Sequence, residues 1–346
     1  MKWDGLGRAS GLTIVGADCL SGQEILSTLE TSKTSIRRIR RFASTDSWEE
    51  LTAGDGELAG FEPLRNGVFE AEDAVIFAGP PALARKYVPL ALAAGSVVVD
   101  VTGAFASDAA IPLVVPQVNA DEIRQMKASL VASPGVGAIA LALALKPIQD
   151  AFGLERVVVT TLHSVSEAGR AGFDELSRQT TGLLNAEEIE AEVFPHPVAF
   201  NCVPVVGPAE TGKSCGAEER ISRELQRLLE LSGPRVVVSA VQVPTFAGFG
   251  ATVAVQTTRP FGALEVVREK LDDAPGVHVL DRPESNIYPT SREAAGGDSV
   301  FVGRLRRDET VPTGLVFWLS TDDLRRGAAL NALDCLEAIF RFRSLH

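Results

Sequence analysis

Cysteine and histidine, the residues on which thiol, metal and acid–base chemistry most often rest, are scarce in this sequence. Its 346 residues hold four of each, with only two tyrosines and three tryptophans. Cys19, Cys202, Cys215 and Cys335, together with His163, His196, His278 and His346, show no C-x-x-C or H-x-x-x-H spacing. No metal site is therefore expected, and any nucleophile-and-base pair must draw on these eight residues. Four scattered cysteines in a chain of this length point to reduced thiols and a cytoplasmic setting rather than a disulfide framework. Positive charge is also short: 33 Lys and Arg against 45 Asp and Glu give a net charge of −12. With no basic cluster large enough to stand out, nucleic acid is not expected as a partner. No run approaches the ~20 apolar residues of a membrane span. The longest, GVGAIALALAL, stops at Lys146. The first ten residues lack an apolar h-region, so no signal peptide is expected.

What is present is a β-α rhythm in the first half. Leu12–Val15, Ile36–Ala43, Ala74–Ala78 and Val97–Val101 read as strands, and helical spacing covers Gln23–Leu29 and Pro81–Ala94. Val- and Ile-rich strands without polar alternation suit a parallel sheet covered on both faces. This predicts a Rossmann-type, doubly wound domain over residues 1–133. The second half changes rhythm. Strands are expected at Arg156–Leu162, Val236–Val243, Ala251–Gln256, Val300–Leu305 and Leu315–Ser320. Helices are expected near Arg170–Thr181, Glu218–Leu231 and Leu264–Leu271, so residues 134–323 form an α+β domain with a mixed or antiparallel sheet. A last helix from Leu324 to Phe340 is expected to pack back, with the residues to 346, on the first domain. Asn185–Pro197 and Gly207–Gly216 read as surface excursions, and Glu187–Glu192 as a solvated acidic face.

Several segments then occur in a recognisable order: IPLVVPQVN at Ile111–Asn119, SVSEAGRAGFDEL at Ser164–Leu176, AFNCVP at Ala199–Pro204, NIYPT at Asn286–Thr290, VFVGRLR at Val300–Arg306 and RGAALNA at Arg326–Ala332. In these the chain resembles the aspartate-semialdehyde dehydrogenases over nearly its whole length. The resemblance implies an NADP-binding Rossmann domain and a glyceraldehyde-3-phosphate-dehydrogenase-like dimerisation domain in a homodimer. It also implies a role in amino-acid biosynthesis. The family's reaction is reductive dephosphorylation of aspartyl phosphate through a cysteine thioester, with His as acid/base, Arg on the substrate carboxylate and Gln positioning the intermediate.

Carried over residue by residue, that tetrad is replaced. The nucleophile loop falls on Ser133–Gly137 and places Val136 at the cysteine position. The Gln position holds His163, the Arg position Gln242 and the His position Phe249. A valine has no lone pair with which to attack an acyl phosphate. The substrate-phosphate positions are Ala106 and Arg220, of which only Arg220 is basic. In the phosphate loop Gly16 and Gly22 remain, whereas Asp18 and Cys19 put an acid and a Cβ where a pyrophosphate would approach. The 2′-phosphate reader, in the stretch beginning Ala43-Ser44, would be Asp46. An acid there repels NADP and suits the ribose diol of NAD, so no cofactor is assigned, and NAD fits better than NADP. Val136 and Phe249 are expected to fill the site with apolar groups. His163 reads either as a residual catalytic group or as a satisfied buried imidazole, and Cys202 with His196 is the one alternative dyad. The expectation is a non-catalytic dimer, like the family's Usg-type paralogues that lack the active-site cysteine, serving as a scaffold or binding an unidentified protein or small ligand. The alternatives are an NAD(P)-dependent oxidoreductase acting on another small substrate, and a true family enzyme with a displaced nucleophile.

Overall fold

The computed structural model describes residues 3, 11–32, 36, 38–45, 61–71, 74–125, 129–233 and 235–343. The chain divides into two compact units. One comprises Met1–Gly135 with Ala328–His346, and the other Val136–Gly327.

In the first unit five strands form a wholly parallel sheet in the order β2-β1-β3-β4-β5. They are β1 (Leu12–Val15), β2 (Ile39–Phe42), β3 (Ala74–Phe77), β4 (Val97–Asp100) and β5 (Leu130–Ala132). Successive side chains point to opposite faces, and both faces are dry in β1, β3, β4 and β5, while the edge strand β2 buries only Phe42. Ile14, Ile76 and Val99 join one core with Ile25 of helix α1 (Leu20–Thr31). Val15, Phe77 and Val98 join another with Ala84 and Val88 of helix α2 (Pro81–Ala93). This double burial is why the strands read as continuous apolar runs. The chain's last long helix, Asn331–Arg343, covers the first face through Leu333, Leu336 and Ile339. Asn331 anchors it, donating to the Val114 carbonyl at 3.0 Å and to Ser133 Oγ at 2.8 Å. The expected strand from Ile36 is shorter and starts at Ile39, where pairing with Leu12 begins. The final helix enters through a π-turn at Arg325–Leu330 rather than starting regularly at Leu324.

The second unit holds a six-stranded mixed sheet in the order β7-β6-β8-β11-β10-β9. The strands are β6 (Arg156–His163), β7 (Val236–Gln242), β8 (Phe249–Gln256), β9 (Val277–Val279), β10 (Val300–Asp308) and β11 (Gly314–Thr321). Strand β6 lies parallel to β7 and antiparallel to β8. Sequence periodicity passed over helix α3 (Val136–Phe152), whose residues Val136 to Leu145 are all buried. A helix that is apolar on every side carries no 3.6-residue period to detect. Helix α4 (Gly169–Leu184) pins the excursion after Asn185 with two buried polar side chains. Gln179 Oε1 accepts from the Val198 and Ala199 amides, its Nε2 donates to the Glu190 carbonyl, and Glu175 accepts from the Glu192 and Val193 amides. Helix α5 (Gly216–Leu228) begins at Cys215, which sequence left without context. Glu218 accepts from the Cys215 amide at 2.8 Å and from the Ala240 amide of β7 at 3.0 Å, so one side chain ties helix to sheet. Helix α6 (Leu264–Asp272) completes the unit. Among the described residues no helix is long and apolar enough to cross a membrane.

Candidate functional site

Three of the four residues expected at the tetrad positions meet at one end of the six-stranded sheet. β6 ends at His163 and β7 at Gln242, while β8 begins at Phe249, and register pairs His163 with both of the others. The fourth, Val136, opens α3. The start of α3 reaches this row: a Cβ added to Gly137 would lie 3.3 Å from Phe249 Cζ and 2.8 Å from Ile221 Cδ1. Val136 is itself seated against Gly327, where an added Cβ would fall 2.5 Å from Val136 Cγ2. All four side chains are buried: Val136 at 9%, Gln242 at 4%, Phe249 at 1% and His163 at 0% exposure.

His163 is held on both ring nitrogens. Its Nε2 lies 2.8 Å from Thr161 Oγ1 and its Nδ1 2.5 Å from Glu167 Oε1. Phe249 stands edge-on to the imidazole with centroids 5.4 Å apart. Gln242 donates its amide to the His163 carbonyl at 2.8 Å. Arg220, on α5, brings Nη2 to 3.5 Å from the second carboxylate oxygen of Glu167. Burial would raise the Glu167 carboxyl, but His163 and then Arg220 hold it below its ordinary value. A cavity of about 620 Å³ opens beside Glu167, Arg220 and Gln242.

Sequence reasoning missed Glu167, which lies in the turn after His163. The only available signal was an acid inside a serine-glycine turn, four residues after the histidine. It also missed Asp323, which accepts from Ser164 at 3.1 Å, from Ser166, and from the Gly248 amide at 2.6 Å. Burial raises the Asp323 carboxyl, and these donors only partly oppose it. Asp323 follows β11, whose Thr321 pairs with Phe249, so the network braces the loops flanking the site. Cys202 and His196 are both exposed, and no hydrogen bond joins them.

The loop after β1, in the first unit, keeps its strand–turn–helix shape. Gly16 adopts φ +80° and abuts Gly79 so closely that a Cβ would collide with its backbone. Gly22 lies equally close to Gly16, which lets α1 pack on the turn. Asp18, just before α1, accepts from Ser44 Oγ at 2.6 Å. Cys19 caps α1, and burial followed by the Asp18 charge pushes its thiol up to about 11. Asp46 lies outside the described residues. Ala106 is buried in the loop after β4.

Comparison with known proteins agrees with this architecture. Residues 12–126 match the family model described as semialdehyde dehydrogenase, NAD binding domain, and residues 145–326 the model described as semialdehyde dehydrogenase, dimerisation domain. An aspartate-semialdehyde dehydrogenase of Legionella pneumophila is 35% identical, covering 97% of each chain. One from Aquifex aeolicus is 32% identical over 95% of this chain and 98% of its own. The crystal structure of aspartate semialdehyde dehydrogenase II from Vibrio cholerae superposes with a TM-score of 0.86 at 33% identity, covering 96% of this chain and 98% of that one.

Proposed function

The chain belongs to the aspartate-semialdehyde dehydrogenase family, and from that premise we propose that it does not run the family's thioester reaction. It works instead as a dimeric, ligand-binding member, like the Usg-type paralogues without the active-site cysteine. The observation that carries this reading is Val136 at the head of α3, seated against Gly327 at the position where the family's nucleophile is expected. A helix N-terminus can stabilise a thiolate, but here it faces two methyl groups. The expected base position is Phe249, and the nearby imidazole of His163 is fully buried with both nitrogens engaged. A general base must reach the proton it removes, and His163 has no free nitrogen with which to do so. Dimer formation rests on the family model spanning residues 145–326, and a cytoplasmic place beside amino-acid biosynthesis rests on the family alone.

The first unit does not fit a dinucleotide pyrophosphate. The Asp18 carboxylate, fixed by Ser44, stands immediately before α1, where a phosphate needs bare amide donors, and Cys19 adds a neutral thiol. No step is therefore routed through a nicotinamide. The retained Gly16–Gly79 approach favours a second reading, an NAD(P)-dependent oxidoreductase with another substrate, because the turn still has the shape of a dinucleotide loop. Purified protein is expected to give no phosphate-dependent oxidation of aspartate semialdehyde with NADP or NAD. Calorimetry at millimolar dinucleotide is expected to show no heat. Turnover at an ordinary enzyme rate would overturn the first reading, and tight NAD binding without turnover would promote the second.

A further inference from the structure

The cavity beside Glu167 defines a ligand class, an inference that rests on the ligand-binding reading above. We propose that Glu167 is a built-in anion that occupies the Arg220 guanidinium, so that the pocket selects an uncharged molecule with an apolar body and one hydrogen-bond donor.

The volume, about 620 Å³, suits a small organic molecule. Most of the wall is apolar, formed by Phe194, Pro195, Val205, Val206 and Pro208. Three polar side chains interrupt it. Arg220 is the basic one, and it already faces a carboxylate of the same chain, with Glu167 Oε2 at 3.5 Å. Glu167 cannot swing aside freely, because its other oxygen is held at 2.5 Å by His163 Nδ1. The imidazole is fixed in turn by Thr161 on Nε2 and by Phe249 against its face or edge. Glu167 is thus held from behind with its second oxygen facing Arg220. An incoming anion meets the Glu167 charge as well as the Arg220 charge on the cavity wall, and the two effects oppose. Gln242 supplies the remaining polar feature. Its amide NH2 is used on the His163 carbonyl, which leaves Oε1 of this 4%-exposed side chain without a protein partner at the cavity wall. An accessible acceptor of this kind can take a ligand N–H or O–H.

The test compares cyclohexanecarboxamide with cyclohexanecarboxylate, which share one apolar body, by calorimetry on the intact protein at neutral pH. Wild type is expected to bind the amide about tenfold more tightly than the carboxylate, the size of the one neutral hydrogen bond that an amide N–H can give Gln242 Oε1 and a carboxylate cannot. Glu167→Gln releases Arg220 and reverses the preference, and inorganic phosphate becomes a measurable ligand. Glu167→Gln with Arg220→Gln abolishes that gain. Arg220→Gln alone removes the basic group of the wall and weakens the carboxylate further relative to the amide, so the inference stays testable if Glu167→Gln does not fold. Equal or tighter carboxylate binding by wild type, no amide binding, or a ratio unmoved by these substitutions overturns it. Dehydrogenase turnover by wild type would instead remove the non-catalytic reading and leave these ratios as they are.

Discussion

Replacing Gly327 by alanine measures how firmly the head of α3 is closed by Val136. A Cβ at residue 327 would lie 2.5 Å from Val136 Cγ2 and 2.7 Å from its Cβ, well inside van der Waals contact. Overpacking a site of this kind costs about 1–3 kcal/mol, and removing a helical glycine returns about 0.5–1 kcal/mol. Gly327→Ala is therefore expected to destabilise by roughly 0.5–2 kcal/mol. Val136→Ala deletes two buried methyl groups and costs about 1.5–2.5 kcal/mol. In the double variant the new methyl enters the space the old ones left. The combined loss should then fall short of the sum by about 1–2 kcal/mol, a coupling typical of residues in contact. Urea denaturation of the four proteins, followed by tryptophan fluorescence, gives the cycle. Additivity within about 0.5 kcal/mol would show that the two residues do not touch, and the closed nucleophile position would go with it.

Glu167→Gln also has a pH signature. The native carboxyl titrates below its unfolded value of 4.5, so its stabilisation is present above that value and disappears as pH falls through the lower native value. The stability gap between wild type and variant, about 1–2 kcal/mol at pH 7, should close in this acid range. A gap that is constant down to pH 3 contradicts the pairing. Gln179→Ala strips partners from the Val198 and Ala199 amides and the Glu190 carbonyl. It is expected to cost about 2–4 kcal/mol, with faster hydrogen exchange confined to residues 190–199; protection unchanged there refutes the anchor. Thiol titration at pH 8 should find one fast cysteine, the exposed Cys202, because Cys215 and Cys335 are buried and the Cys19 thiol is pushed up to about 11. Rapid loss of that signal in Cys19→Ser rather than Cys202→Ser would contradict it.

The sheet of the first unit was readable because its strands bury both faces, so Val15 and Ile14 are equally apolar and the run stands out from its neighbours. β5 escaped notice for want of length: three residues, Leu130–Ala132, carry too little pattern. Helix α3 escaped for the opposite reason, having too much apolar character to show a face. The expected tetrad positions followed from the resemblance to the family, and the β6–β7 and β6–β8 registers place three of those residues side by side. The partners of His163 did not follow. Thr161 lies on the same strand face at the strand's period of two, whereas Glu167 returns from the next turn, a pairing with no sequence period.

Residue identity alone establishes that position 136 carries no nucleophile, and strand composition alone establishes a parallel, doubly covered sheet. Both are local properties of the chain, one of a side chain's atoms and the other of the solvent each strand must avoid. The fate of the surviving polar groups belongs to the tertiary structure. Arg220 reads in one dimension as a basic group at a substrate-phosphate position, and His163 as either a residual catalytic group or a satisfied buried imidazole. Strand register and the turn after β6 bring Glu167 between them at 2.5 and 3.5 Å. Charges far apart in sequence compensate one another only when the fold brings them within a few ångströms, because electrostatic attraction depends on distance in space.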